Sequence, residues 1–165
     1  MSYLYLQQKV FSIGEKYTFF DANQQVVFKA QGSFFAIPKR YQLFDKPNNP
    51  VINIERKLFS WMPTFNITDP RNGQGMFTVR QRFSFGRPRF DIHTCTGQSY
   101  NVTGSFWAYD FQISTATGQQ IIIVKKHWLT WGDTYEIWFD TTQVTAEVAA
   151  AIVLTIDCTL HSNRS

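Results

Sequence analysis

Cysteine is scarce in this chain. Only Cys95 and Cys158 occur, with no metal-knuckle spacing and too few for a disulfide framework. Long hydrophobic runs are missing too. The longest, Val148 to Leu154, falls far short of the ~20 residues that span a bilayer. The first residues, MSYLYLQQKVF, carry no charged stretch followed by an apolar one, and no glycine follows Met1. That argues against a signal peptide and against N-myristoylation, so a reducing cytoplasm is the expected location. The sequons at Asn66 and Asn101 then carry no weight. A strong charge of one sign is lacking: Lys and Arg number 16 against 12 Asp and Glu, a net +4. That admits an anionic partner but is weak for nucleic acid. There is no glycine-rich phosphate loop, no calcium-loop run of acids and no His-Glu-x-x-His. His93, His127 and His161 pair with no evident nucleophile, so no catalytic constellation and no cofactor is expected.

What the chain has is aromatic residues, 17% of the total with 16 Phe, and they recur in order. An aromatic–polar–aliphatic triplet appears as Tyr17-Thr18-Phe19, Tyr41-Gln42-Leu43, Phe65-Asn66-Ile67, Phe90-Asp91-Ile92, Phe111-Gln112-Ile113 and Tyr135-Glu136-Ile137. Period-two alternation puts the two apolar members on one face of a strand. Short turns precede the triplets (IGEK, IPKR, WMPT, FGRPR, AYD, WGDT). Before the turns stand apolar–small pairs such as Phe11-Ser12, Phe35-Ala36, Trp107-Ala108 and Leu129-Thr130. Turns rich in Asp, Asn, Gly and Pro separate the units. The reading is six hairpins, with strands near 3–12, 16–21, 25–37, 40–45, 50–61, 64–69, 75–85, 89–94, 99–108, 110–115, 119–131 and 134–140. In the 75–85 strand, Phe77, Val79, Phe83 and Phe85 form the core face and Thr78, Arg80, Arg82 and Ser84 the other. The 50–61 strand slips phase between Ile54 and Phe59, which predicts a bulge.

GSFFA at Gly32 and GSFWA at Gly104 mark the second and fifth hairpins and suggest two three-hairpin halves related by a pseudo-twofold. Mid-strand glycine implies a bulge or close packing at both. Residues 145–160 then change character. They are Ala-rich, with Thr145 as N-cap, Glu147 in the first turn and apolar side chains nearly all round, which describes a buried helix. Twelve strands ~4.8 Å apart and tilted ~40° close with a radius of roughly 12 Å, too wide for side chains alone to fill. A helix ~10–12 Å across fits that gap. The expected fold is mainly β: one domain over 1–165, a twelve-stranded closed antiparallel barrel enclosing its C-terminal helix.

The phrases KLFSWMPTFNI, FSFGRPRFDI, GSFWAYDFQI, KKHWLTWGDTYEI and AAAIVLTIDCTLH resemble a bacterial member of the LURP-one-related family, over almost the whole chain. The architecture is shared with tubby C-terminal domains and phospholipid scramblases. The resemblance implies a twelve-stranded barrel around a central helix and leaves biochemical activity undefined. Plant relatives are associated with defence, tubby domains bind phosphoinositides, and scramblases are membrane-associated and calcium-linked. No motif here transfers a lipid-contact residue, so a fold-level likeness supports lipid binding only weakly.

The functional clue from the residues themselves is basic. Lys16, Lys39, Arg40, Arg87 and Arg89 lie in or beside the intra-hairpin turns, which share one rim in an up-and-down barrel. Arg56, Lys57, Arg80, Arg82, Lys125 and Lys126 approach it along strands. Clustered cations with exposed turn amides hold phosphate groups. The expected role is therefore a binding or adaptor protein, with a peripheral anionic membrane or a phosphoinositide-like or phosphate ligand on that rim. The ordinary alternative is solvated charge paired with Glu15, Asp110 and Asp133. A protein partner held by Trp131 and Trp138 stays open. Single-stranded nucleic acid along Arg80–Phe90 ranks lower, since those aromatics are expected in the core, and a lipocalin-like carrier fails if the helix fills the lumen. Asp157 reads as a buried structural carboxylate seeking a basic or hydrogen-bonding partner, Cys158 as a small hydrophobe, and His93 with Cys95 as a turn-edge accident rather than a metal site.

Overall fold

A computed structural model describes residues 2–9, 16–33, 36–106, 109–127 and 134–162. The expected turns at Phe11-Ser12-Ile13-Gly14-Glu15 and at Leu129-Thr130-Trp131-Gly132-Asp133, and the pair Trp107-Ala108, lie outside the described residues. Twelve strands follow one another: β1 (Ser2–Lys9), β2 (Lys16–Phe20), β3 (Val26–Gly32), β4 (Arg40–Asp45), β5 (Pro50–Arg56), β6 (Thr64–Thr68), β7 (Gly75–Arg82), β8 (Arg89–Thr94), β9 (Ser99–Ser105), β10 (Asp110–Thr115), β11 (Gln120–His127) and β12 (Thr134–Phe139). Each pairs antiparallel with its sequence neighbour, and β1 closes on β12. The barrel has no free edge.

The triplets are the reason it closes around something. All twelve of their apolar members are buried, from Tyr17 and Phe19 round to Tyr135 and Ile137. The register repeats with them. Each triplet aromatic faces a fixed position on the preceding strand: Gln8↔Tyr17, Gly32↔Tyr41, Arg56↔Phe65, Gln81↔Phe90, Gly104↔Phe111 and Lys126↔Tyr135. The two phrase glycines are thus equivalent, each opposite an inward aromatic. At Gly104 the backbone has φ 127°, and a Cβ would come within 2.4 Å of the Asp110 carbonyl oxygen. Where a triplet strand meets the next hairpin, a bulge follows its last member: after Phe19, Leu43, Ile67 and Ile113.

Three expectations need correcting, for one reason. The strand read over 25–37 ends at Gly32, and Ile37 is exposed in the turn that follows. The phase slip in 50–61 is not a bulge. β5 ends at Arg56, and the chain leaves the sheet over 57–63, with Lys57 N–H donating to the Thr64 carbonyl at 2.7 Å. Likewise β7 ends at Arg82, where it pairs with Arg89, so Phe83 and Phe85 are not core. They are 71% and 93% exposed. Alternation continues in the sequence past the point where the lumen ends.

One helix, α1 (Ala146–Ser162, 17 residues), runs through the lumen, about 25 Å at 1.5 Å per residue. Every residue from Val148 to Leu160 is buried. Thr145 caps it, accepting from Val148 N–H at 3.4 Å, with Glu147 in the first turn. The buried hydroxyls of Thr155 and Thr159 donate to the carbonyls of Ala151 and Thr155 at 2.7 Å each, so they need no partner from the barrel. Since β12 ends at the inter-hairpin rim, α1 enters there and brings Leu160, in its last turn, to the intra-hairpin turns.

Candidate functional site

The two rims differ in charge. Asp21, Asp45, Asp69 and Asp140 sit in the inter-hairpin turns with Glu147 nearby, against only Lys46 and Arg71. Those aspartates serve the turns. Asp21 and Asp45 accept backbone N–H groups, and Arg71 and Thr142 hold the carboxyls of Asp69 and Asp140 below the usual range by hydrogen bonding. The described intra-hairpin turns are the reverse. Segments 33–40, 56–63 and 82–89 contain Lys39, Arg40, Arg56, Lys57, Arg82, Arg87 and Arg89 and no carboxylate. The helix points its partially negative C-terminal end at this basic rim and its positive end at the acidic one.

These three turns are neighbours. Arg56 N–H donates to the Lys39 carbonyl and Gln81 N–H to the Pro63 carbonyl, each at 2.9 Å. Of the expected site residues, Lys39, Arg40, Arg87 and Arg89 therefore belong to one arc, with Arg56 and Lys57 between them. Lys16, exposed at the start of β2, lies one hairpin further round. The Lys39 ammonium stands 5.5 Å from the Tyr41 ring centroid. Arg40 pairs with Glu55 at 2.7 Å and Arg82 with Asp91 at 3.1 Å, both along the outer wall. Lys57, Arg87 and Arg89 have no ion-pair partner among the described residues. With half-buried Arg56, which also has no ion pair among the described residues, they are the cations of this arc not already paired.

The expected cations are not alone on this arc. Ile37, Leu58, Phe59, Trp61, Phe83 and Phe85 stand there too, six of the seven exposed large hydrophobics among the described residues, the other being Tyr3 on β1. Phe59 is fully exposed and Trp61 94% exposed. Sequence reasoning missed them as surface residues. The available signal was the broken alternation after Ile54. The turns are not loose. The Ser60 and Thr64 hydroxyls both donate to the Met62 carbonyl, at 2.6 and 3.0 Å, and the Ser84 hydroxyl donates to the Arg87 carbonyl. A crevice of about 370 Å³ between them is lined by Met62, Phe83, Pro88 and, at its base, Leu160 of α1.

The other described residues singled out in the sequence lie away from this arc, inside the barrel or on its outer wall. Asp157 is 3% exposed and shares a narrow interior crevice with Tyr109 and Tyr135, whose rings stack at 4.1 Å. Burial, the Asp157 charge and Tyr135 push the Tyr109 hydroxyl up from its ordinary value. Cys158 is buried, its Sγ 3.5 Å from the Tyr17 hydroxyl. His93 bonds Ser99 at 2.9 Å, and no cluster of three metal-type ligands occurs among the described residues. Trp138 is half-buried on β12, and Trp131 lies outside the described residues. A broader hollow on the outer wall of β3–β6, about 690 Å³, is lined by Gln31, Gln42, Asn53 and Asn66, and Gln42 and Asn53 bond one another at 2.8 Å.

No described helix is long and apolar enough to cross a membrane. The outer wall argues separately against a spanning barrel. The triplets' middle residues, Thr18, Gln42, Asn66, Asp91, Gln112 and Glu136, alternate with buried neighbours and so face outward. Outer-membrane barrels show lipid an apolar face.

The sequence pattern that defines the LURP-one-related family matches residues 3–157. The chain is 28% identical, over 97% of its length and 94% of the relative's, to a protein of Bacillus subtilis (strain 168) described as uncharacterized protein YxjI. A crystal structure of a protein from Arabidopsis thaliana superposes with a TM-score of 0.67 at 13% identity, covering 94% of this chain and 90% of that one. This last likeness speaks to the fold alone.

Proposed function

The chain belongs to the LURP-one-related family, and from that footing we propose that it is a binding protein without catalytic machinery whose basic rim takes up anionic phosphate groups, whether of lipid headgroups or of a free ligand. One observation carries the reading: three adjacent turns hold seven cations and no carboxylate, while the opposite rim holds most of the turn acids. A charge distribution so divided orients the molecule toward an anionic partner before contact. Lys57, Arg87 and Arg89 then supply charge-assisted hydrogen bonds. Among the described residues the lumen is taken up by α1, buried throughout from Val148 to Leu160. That filling of the lumen speaks against a lipocalin-like carrier.

Exposure of Phe83 and Phe85 beside Arg82, Arg87 and Arg89 supports a second reading, a stacking platform for single-stranded nucleic acid. One experiment separates the two. Flotation is measured with phosphatidylcholine vesicles with and without phosphatidylserine across a salt series, alongside titrations with inositol hexakisphosphate and a single-stranded oligonucleotide. The expected result is salt-sensitive binding to the anionic vesicles only. Arg87→Gln with Arg89→Gln should weaken it roughly thirtyfold, at about 1 kcal/mol per cation. Binding of inositol hexakisphosphate without vesicle binding would identify a free ligand. Vesicle binding that ignores the double substitution, or equal flotation on neutral lipid, would sink the reading. Binding of the oligonucleotide alone would favour the second one.

A further inference from the structure

The geometry points to a wedge as well as a charge: resting on the phosphate-binding reading, the structure assigns Phe59, Trp61, Phe83 and Phe85, with Ile37 and Leu58, to insertion into the interfacial layer of an anionic bilayer, so that the barrel stands end-on with α1 along the membrane normal.

The first support is cost. Phe59 sits at φ 59°, the left-handed region that an aromatic residue adopts only at a penalty, and its side chain is fully exposed. Both features act against stability, since Gly or Asn would suit the turn and a solvated ring gains nothing by burial. The second is concentration. Nearly all exposed large hydrophobics of the described surface lie on three touching turns. Surface apolar residues scattered singly need no explanation, but a gathered patch does. The third is order: the Ser60–Thr64–Met62 hydrogen bonds pin the 57–63 turn, so Phe59 and Trp61 are presented rather than adrift.

Chemistry selects the occupant. Trp and Phe flanked by Lys and Arg match the headgroup boundary, where rings lie below the phosphates and cations level with them. An anionic bilayer complements the cations of these turns, Lys57, Arg87 and Arg89 foremost because Arg40 and Arg82 already pair with Glu55 and Asp91, and it repels the rim bearing Asp21, Asp45, Asp69 and Asp140. Nucleic acid fits less well. Ile37 and Leu58 offer no ring for a base, and Phe83 and Phe85 pack edge to face at 5.2 Å, which occupies one of the faces a base would need.

The test uses the full chain and vesicles of phosphatidylcholine and phosphatidylserine, some made with brominated phosphatidylcholine. The protein has five tryptophans, so the Trp61 signal is the difference between the native chain and Trp61→Phe, which keeps the anchor and loses the reporter. Bromolipid should quench the native chain markedly more than Trp61→Phe. A Phe59→Ser/Trp61→Ser/Phe83→Ser/Phe85→Ser variant should bind roughly tenfold or more weakly at physiological salt while keeping its low-salt, charge-driven association. Circular dichroism should show it folded, since all four rings are exposed. Vesicle binding that Arg87→Gln/Arg89→Gln weakens, with no Trp61 quenching and an unaffected aromatic variant, overturns insertion and leaves phosphate binding standing. Absence of vesicle and phosphate binding together overturns both. Oligonucleotide binding in place of vesicle binding, lost in the aromatic variant, makes the rim a stacking platform and overturns insertion.

Discussion

Two residues in left-handed backbone show what a side chain can be there for. At Gly104, φ 127°, an added Cβ would meet backbone, Asp110 O at 2.4 Å and Phe111 Cα at 2.6 Å. Neither can yield without moving the β9–β10 ladder. At Phe59, φ 59°, the strain is present already and the ring touches solvent. Opposite signs follow. Gly104→Ala should destabilise by about 3 kcal/mol or more, and Phe59→Gly should stabilise by about 1 kcal/mol while weakening vesicle binding. Urea midpoints measure both. A Phe59→Gly protein that unfolds earlier would mean the ring supports the fold, and the argument for an anchor would lose its first premise. The glycine was legible in the sequence as a mid-strand break in a repeated phrase. The phenylalanine was not, because nothing in the sequence marks which way φ turns.

At the scale of the element, strands and helix were legible because each obeys one period. The triplets alternate with period two, and the described strand ends fall within a few residues of those read from turn signals. β3, β5 and β7 were read too long because alternation is a local rule. Phe83 and Phe85 continue the phase of Phe77 and Val79, yet β7 has no partner beyond Arg89. The helix was read from its alanines and its cap. Ala149, Ala150 and Ala151 are wholly buried, and small side chains there let the helix pass close to the wall. Leu154, equally buried, fills the interior one turn on. Leu154→Ala should cost about 2–5 kcal/mol, as large-to-small core changes do. A loss below about 1 kcal/mol in chemical unfolding would show that the lumen closes around the smaller residue.

For the whole molecule, barrel and helix are one cooperative core. The inward faces of the twelve strands pack around α1, so removing residues 146–165 would leave an apolar lumen open to water. That chain should keep β-type far-ultraviolet circular dichroism, lose its near-ultraviolet signal and bind ANS, the behaviour of a collapsed but unpacked state. Native-like near-ultraviolet dichroism would show instead that the strands pack without the helix. The same assembly divides charge between two ends, which no single element does.

The sequence by itself determined the hairpin count, the inward faces, the cap and burial of the helix, and the basic character of the intra-hairpin turns, since all of these rest on spacing and residue type. It could place Lys39, Arg40, Arg87 and Arg89 near one rim because up-and-down connectivity sends alternate turns to the same end. Only the tertiary structure decided that Phe59, Trp61, Phe83 and Phe85 stand on that rim in solvent. The reason is that burial belongs to the closed barrel rather than to the strand: a side chain in the inward phase is inside only while there is lumen beside it, and the lumen ends where α1 and the last strand pairs end.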